Sequence, residues 1–284
     1  MMTELSSEIN KASAFVFANE LADAAAEITI PLFRQPLDIS SKLQDGFDPV
    51  TKADKDTEQK LRSMIEARYP DHAILGEEFG FKVGTGYQWT IDPIDGTRAY
   101  ISGMPSWGTL IALSKITENG SLTSLMGLAD QPYIKERYFG WMSDDTSEAS
   151  EASLTSERKD KKTLVTRSCQ ALEAAVLATT DSNLFINTPT ESLWLNISSQ
   201  TRLNRYGGDW YNYMLLAGGH IDVVIEQGLQ AFDIQALIPI ISAAGGQVSD
   251  WQGNTPIECG EVLACGDANL HAQIIGLIKR LKRS

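Results

Sequence analysis

Two aspartates, Asp92 and Asp95, bracket a proline and precede a glycine in the run "WTIDPIDGTRAY". No other stretch restricts the fold as much. Pro93 forbids helix and fixes a turn, so the apolar residues before it are expected to form a strand ending near Ile91. In open α/β sheets, ligands gather outside the carboxyl ends of strands. The chain must therefore hold two carboxylates at such an end. Unit charges about 4 Å apart repel by roughly 4 kcal/mol at an effective dielectric near 20. As turn residues the pair needs no ligand, because aspartates close turns and one of them could cap the next segment.

"LGEEFG" repeats the pattern, with Glu77 and Glu78 following a short apolar run. Two acidic strand tips, neighbours in sequence, are hard to explain as surface. Hard oxygen donors at this density suit Mg²⁺ or Mn²⁺, and a divalent ion turns their repulsion into attraction. Gly96 lets backbone approach a ligand closely. A helical turn starting near Gly96 and Thr97 would present N–H groups to an anion, and the Thr97 hydroxyl could orient a water. Metal beside an anion nest points to metal-assisted hydrolysis of a phosphate ester. In "QAFDIQALIPIISAAGG", Asp233 stands before a long apolar helical stretch. It can cap that helix, bind metal, or do both.

Around these motifs the chain alternates helical and strand-like patterns. Ala14, Phe17, Leu21, Ala25 and Ile28 recur at helical spacing, and Leu61, Met64 and Ile65 mark the inner face of a helix over 54–68. "AILG", "YQWTI", "WGTLIALSK", "SLTSLMGLAD" and "ERYFGW" are strand-like, with a hairpin turn at Asn119–Gly120. Residues 143–162 are polar and almost free of large apolar side chains, and are expected to be a solvated loop between units 1–145 and 146–284. Beyond it come a helix at "DWYNYMLLAGG", a strand at "HIDVVIEQG", one long helix from Asp233 to Gly245–Gly246, a strand at "GEVLACG" and a final helix. Such alternation implies mixed α/β layers.

A chain of 284 residues with 43% hydrophobic and 21% charged residues has globular composition. Its net charge of −13 argues against the basic face of a nucleic-acid binder, and the terminal "KRLKRS" is short and reads as the solvated end of a helix. No apolar run approaches the roughly 18 residues of a membrane span, and "MMTELSSEIN" lacks the regions of a signal peptide. Cys169, Cys259 and Cys265 form no CxxC pair, which fits a reducing cytoplasm.

Taken together, "DPVTKAD", "GEEFG", "DPIDGT" and "FDIQA" resemble, in that order, the motifs of the inositol monophosphatase superfamily of Mg²⁺-dependent phosphatases. The departure is Phe232, where the family usually has tryptophan. The resemblance implies an αβαβα sandwich, two or three Mg²⁺ ions per site, a small phosphorylated metabolite as substrate and a homodimer. It implies Glu77, Asp92, Asp95, Asp233 and the carbonyl of Ile94 as metal ligands, and Glu78 as an acid supporting them. Gly96 and Thr97 would hold phosphate, Thr97 and Glu77 would position the attacking water, and Asp48 or Asp54 would assist a further metal.

Within the superfamily, the stretch from Arg205 to Ile241 looks most like the histidinol-phosphate phosphatases. Glu226 matches the family's substrate-contacting glutamate. Asp209 stands where inositol phosphatases usually have a small residue. A second carboxylate would favour a substrate carrying an ammonium and an imidazole that is readily protonated, although Asp209 after Gly207–Gly208 could equally cap a helix. Arg205 would orient the acid or the phosphate, or lie on the surface. The rivals are an inositol-1-phosphate phosphatase, a broad-specificity sugar or nucleotide phosphatase, and a non-catalytic Mg²⁺-binding regulator.

Overall fold

The computed structural model describes residues 9–36, 39–41, 49–143, 150–157, 159–256 and 259–281. The N-terminal stripe forms α1 (Lys11–Leu32), which buries Ala14, Phe17, Leu21 and Ala25. A short hairpin, β1 (Ile39–Ser41) with β2 (Pro49–Thr51), leads into α2 (Lys52–Arg68). Thr51 and Asp54 close a capping box at the start of α2, which buries Leu61 and Ile65.

Strands β3 (Ala73–Gly76), β4 (Gly80–Lys82), β5 (Tyr87–Asp95), β6 (Gly108–Ile116), β7 (Leu122–Gln131), β8 (Glu136–Trp141), β9 (Glu151–Ser156) and β10 (Lys159–Thr163) make an eight-stranded sheet. Its order is β10-β9-β8-β7-β6-β5-β3-β4, antiparallel except between β3 and β5. The Asn119–Gly120 hairpin turn joins β6 to β7, with Gly120 at φ 82°. A short helix, α3 (Thr97–Ile101), follows β5.

A five-stranded sheet follows, built from β11 (Val176–Thr179), β12 (Leu203–Tyr206), β13 (Val223–Gln230), β14 (Gln247–Ser249) and β15 (Cys259–Cys265) in the order β12-β11-β13-β15-β14. Its helices are α4 (Glu191–Ser198), α5 (Asp209–Ala217), α6 (Ala231–Ile234), α7 (Leu237–Ala243) and α8 (Ala268–Leu281).

Strand alternation sorts these elements into five layers. On β6, Ile111 and Leu113 face a core shared with Phe17 and Leu21 of α1 and Leu61 of α2. Leu110 and Ala112 face the opposite way, into a core with Trp210 and Met214 of α5 and Leu237 and Ile240 of α7. Val224 and Ala264 of the second sheet close that middle core. Val223, Ile225 and Leu263 point outward, under Trp194 and Ile197 of α4 and Ile274 of α8. The order is α, β, α, β, α, as the resemblance implied.

Three local expectations change. The polar stretch 143–162 is not one loop, since it supplies β9 and β10 on the edge of the large sheet. Ala152 and Leu154 turn inward to the middle core, while Lys161 pairs with Glu151 on the outside. The long helix after Asp233 is two helices, α6 and α7, parted at Gln235 and Ala236. Finally, β5 does not stop at Ile91 but runs to Asp95 through an irregularity.

Candidate active site

That irregularity builds the site. Asp92 pairs with Leu110 and Asp95 with Gly108, so β5 spends three steps where β6 spends two. The extra residue is accommodated as a bulge at Pro93 and Ile94, where a proline is tolerated. The Thr109 hydroxyl donates to the Pro93 carbonyl at 2.8 Å, and the Ile94 N–H donates to Asp92 at 3.0 Å. Asp92 is thus a turn aspartate as well as a site residue. Gly96 then turns the chain at φ 81° and caps α3 with no side-chain cap bond. An L-residue is strained there, and an added Cβ would sit 3.3 Å from both Asp209 Oδ2 and the Trp107 backbone. Thr97 donates to the Ile94 carbonyl at 3.1 Å.

Beside β5 runs β3 in parallel, with Gly76 opposite Ile91, so Glu77 emerges next to Asp92. Sequence reasoning missed what holds this turn. Glu58 of α2, fully buried and paired with Arg62 at 2.7 Å, accepts the N–H groups of Glu78 at 2.6 Å and Phe79 at 3.1 Å. Gly76 leaves the room it needs, since a Cβ there would lie 2.1 Å from Glu58 Oε1.

The second sheet brings the remaining acids. Asp233 is the third residue of α6 rather than its cap. Gln230 caps the helix, and Asp233 reaches back to the Gln230 N–H at 2.7 Å. Asp209 is no cap either. Gly208 holds that position, and Asp209 begins α5 at φ 45°. A left-handed aspartate inside a helix start is strained backbone of the kind that collects at functional sites. Glu226, on β13, accepts from the Thr179 hydroxyl at 3.1 Å and the Thr180 N–H at 2.6 Å.

Glu77, Asp92, Asp95, Asp209, Glu226 and Asp233 all line one cavity of about 260 Å³, with Ile94, Gly96 and Thr97. Oxygens of Asp92, Asp95 and Asp233 lie within 4.8 Å of one another. Burial, then the charges of Glu77, Asp95 and Asp233, push Asp92 well above the carboxylate range. Burial, then Asp233 and Asp209, do the same to Asp95. Burial raises Asp209 to about 6 against the pull of Arg98, and raises Glu226 to about 8. Acids this costly to ionise fit a divalent cation, which would repay the repulsion and matches an all-oxygen donor set.

Other expected residues are not among those lining this cavity. Arg205 is exposed on β12 and outside this cavity, whose wall carries Arg98 instead. Asp54 is buried at the capping box, accepting from the Thr51 N–H at 2.8 Å. Glu78 sits in the turn held by Glu58. Asp48 lies outside the described residues. A larger groove of about 730 Å³, lined by Leu75, Phe81, Gln88, Leu122 and Asp250 among others, gathers no comparable acids.

The layered fold and the convergent acids are those expected of a metal-dependent phosphatase. The profile of the inositol monophosphatase family matches residues 10–283, and the chain belongs to that family. Its members hydrolyse phosphate monoesters of small molecules and depend on metal. The chain is 37% identical over 269 residues to the chloroplastic bifunctional phosphatase IMPL2 of Arabidopsis thaliana, covering 90% of this chain and 72% of that one. It is 31% identical to a histidinol-phosphatase of Chlorobaculum parvum, over 92% of this chain and 95% of that one. A solved inositol monophosphatase from Zymomonas mobilis is 38% identical, with a TM-score of 0.79 over 96% of this chain and 100% of that one. Among the described residues, no helix is long and apolar enough to cross a membrane.

Proposed function

We propose that this chain hydrolyses L-histidinol phosphate to L-histidinol and phosphate. The observation that carries the choice is the pair Asp209 and Glu226 in the same cavity as the metal-type acids. Asp209 caps nothing and is held in a strained conformation, so its helical role no longer competes with a ligand role. Two carboxyls with raised pKa, Glu226 buried and Asp209 half-buried, gain most from a cationic ligand, and histidinol carries an ammonium and an imidazole. Relatives named histidinol-phosphatase support the same reading.

In this proposal Asp92, Asp95, Asp233, Glu77 and the Ile94 carbonyl hold two or three Mg²⁺ ions. When bound, these ions supply charge neutralisation and an activated water. Glu77 and Thr97 orient the water for in-line attack, and the backbone at Gly96 and Thr97 receives phosphate. Glu78 steadies Glu77, and Asp54 or Asp48 assists a further ion. Residues 1–145 supply most of these groups, and residues 146–284 close the site with Asp233 and Glu226. A homodimer in a reducing cytoplasm belongs to the same proposal, with sedimentation of the purified chain as its check.

A kinetic panel with Mg²⁺ tests the substrate. Histidinol phosphate should show the largest kcat/KM among histidinol phosphate, inositol 1-phosphate and fructose bisphosphate. Asp209→Ala should raise KM for histidinol phosphate more than for a neutral ester, and an equal effect on both would defeat cation recognition. The second reading, an inositol-phosphate phosphatase, is favoured by the 38% identity to the Zymomonas mobilis structure. It predicts the reverse ranking.

A further inference from the structure

Helix α5 presents more than Asp209 to the cavity. Tyr213 lies four residues on, one turn deeper on the same face, and also lines it. The Tyr213 side chain is 2% exposed, and its hydroxyl has no hydrogen-bond partner among the described residues. A buried donor without a partner is costly, so such a group calls for an explanation. Burial, then the charges of Glu226 of β13, Asp95 of β5 and Asp233 of α6, hold its pKa well above the usual range. The phenol therefore keeps its proton and remains a donor across the neutral range.

This position is specific. Asp95 and Asp233 belong to the end of the cavity where the phosphoryl group would be held, and Glu226 to the end that would take the alcohol. Tyr213 lines the same cavity and feels the charge of acids from both ends. We propose that the Tyr213 hydroxyl donates a hydrogen bond to the ester oxygen that leaves phosphorus during hydrolysis. The water oxygen bonds to phosphorus, and the bond from phosphorus to the ester oxygen breaks with its electron pair left on that oxygen. One water proton stays on the phosphate and the other ends on the alcohol. Tyr213 keeps its own proton throughout and stabilises the negative charge as it develops, which is where a preorganised donor contributes most. The inference rests on the phosphomonoesterase reading above, not on the choice of histidinol phosphate.

Tyr213→Phe is the test. The change removes one oxygen and, among the described residues, no hydrogen bond, so the thermal midpoint should hold or rise. Binding of inorganic phosphate in the presence of Mg²⁺ should be unchanged. Turnover of an aliphatic phosphate ester should fall about 100-fold in kcat, with KM nearly constant, as for loss of one donor to transition-state charge. p-Nitrophenyl phosphate leaves as a stabilised phenolate and needs little such help, so its kcat should fall less than about threefold. The contrast is measured on whichever aliphatic ester the wild type turns over fastest, so a different natural substrate leaves it readable. Equal losses on both ester types, undiminished turnover of the aliphatic ester, or a lowered thermal midpoint would each overturn the assignment. A wild type inert toward every aliphatic ester would overturn the assignment, and one inert toward p-nitrophenyl phosphate as well would overturn the phosphomonoesterase reading with it.

Discussion

Asp209 and Glu226 ionise reluctantly for one main reason: burial. Both folded-state pKa values, about 6 and about 8, lie above those of the unfolded chain. The sign follows by linkage. Their contribution to stability is fully present below about pH 4, where both states are protonated, and is lost as pH rises through about 6 and then about 8. Urea unfolding of chelator-treated protein should therefore show lower stability at pH 8 than at pH 5. Glu226→Gln should flatten that slope, and an unchanged slope would show that Glu226 is not the buried acid responsible. A cationic substrate reverses the preference, since it pairs only with the ionised forms. Its KM should climb as pH falls from 8 to 6, while KM for a neutral ester should not follow it. Glu77, Asp92 and Asp95 were legible because paired acids after apolar strand-like runs stand out by residue type, whereas Asp209 and Glu226 were singled out only through the family resemblance. Glu58, Arg98, Thr179 and Tyr213 were not. The first three owe their roles to partners far away in the chain, such as the Glu78 N–H for Glu58 or Glu226 for Thr179, and Tyr213 owes its role to the cavity it lines.

Elements were most legible where a single period ran unbroken. The stripe of α1 and the hairpin of β6 and β7 follow directly from spacing and the Asn119–Gly120 turn. The pair β9 and β10 did not, because β10 is an edge strand carrying charges that discourage pairing with other chains. "KDKKT" reads as coil until β9 is placed beside it. The division of α6 from α7 was equally hidden. The apolar run continues through it, while Gln235 is taken by the Thr90 hydroxyl of β5 at 2.7 Å. Close packing of α6 and α7 on the sheet depends on glycine. A Cβ at Gly127 would lie 1.8 Å from the Ala236 carbonyl oxygen, and one at Gly140 2.4 Å from the Ile240 backbone. Backbone cannot step aside as a flexible side chain can. Gly127→Ala should lower unfolding free energy by about 3 kcal/mol, at the upper end of overpacking costs, as read from denaturant midpoints. It should also weaken turnover, because α6 carries Asp233 on the same segment.

At the scale of the molecule, the layered order explains why the acids meet at all. Asp92 and Asp95 come from the large sheet, Glu226 from the small one, and Asp233 from the helical layer between them. None of the three sources can form the cavity alone, so the free energy of holding like charges together is carried by the packing of all the layers. Removing the cation should then expose that cost in the global transition. Mg²⁺ at about 100 times its dissociation constant should stabilise the fold by about 2.7 kcal/mol if a single ion binds only the native state. Asp233→Asn provides the control. It removes one charge from the triad and keeps an acceptor for the Gln230 N–H, so the chelated variant should be at least as stable as chelated wild type. The same variant should lose most of the Mg²⁺ stabilisation and nearly all turnover. Undiminished Mg²⁺ stabilisation in Asp233→Asn would mean that the cation binds elsewhere and that the convergence of Asp92, Asp95 and Asp233 serves some other charge.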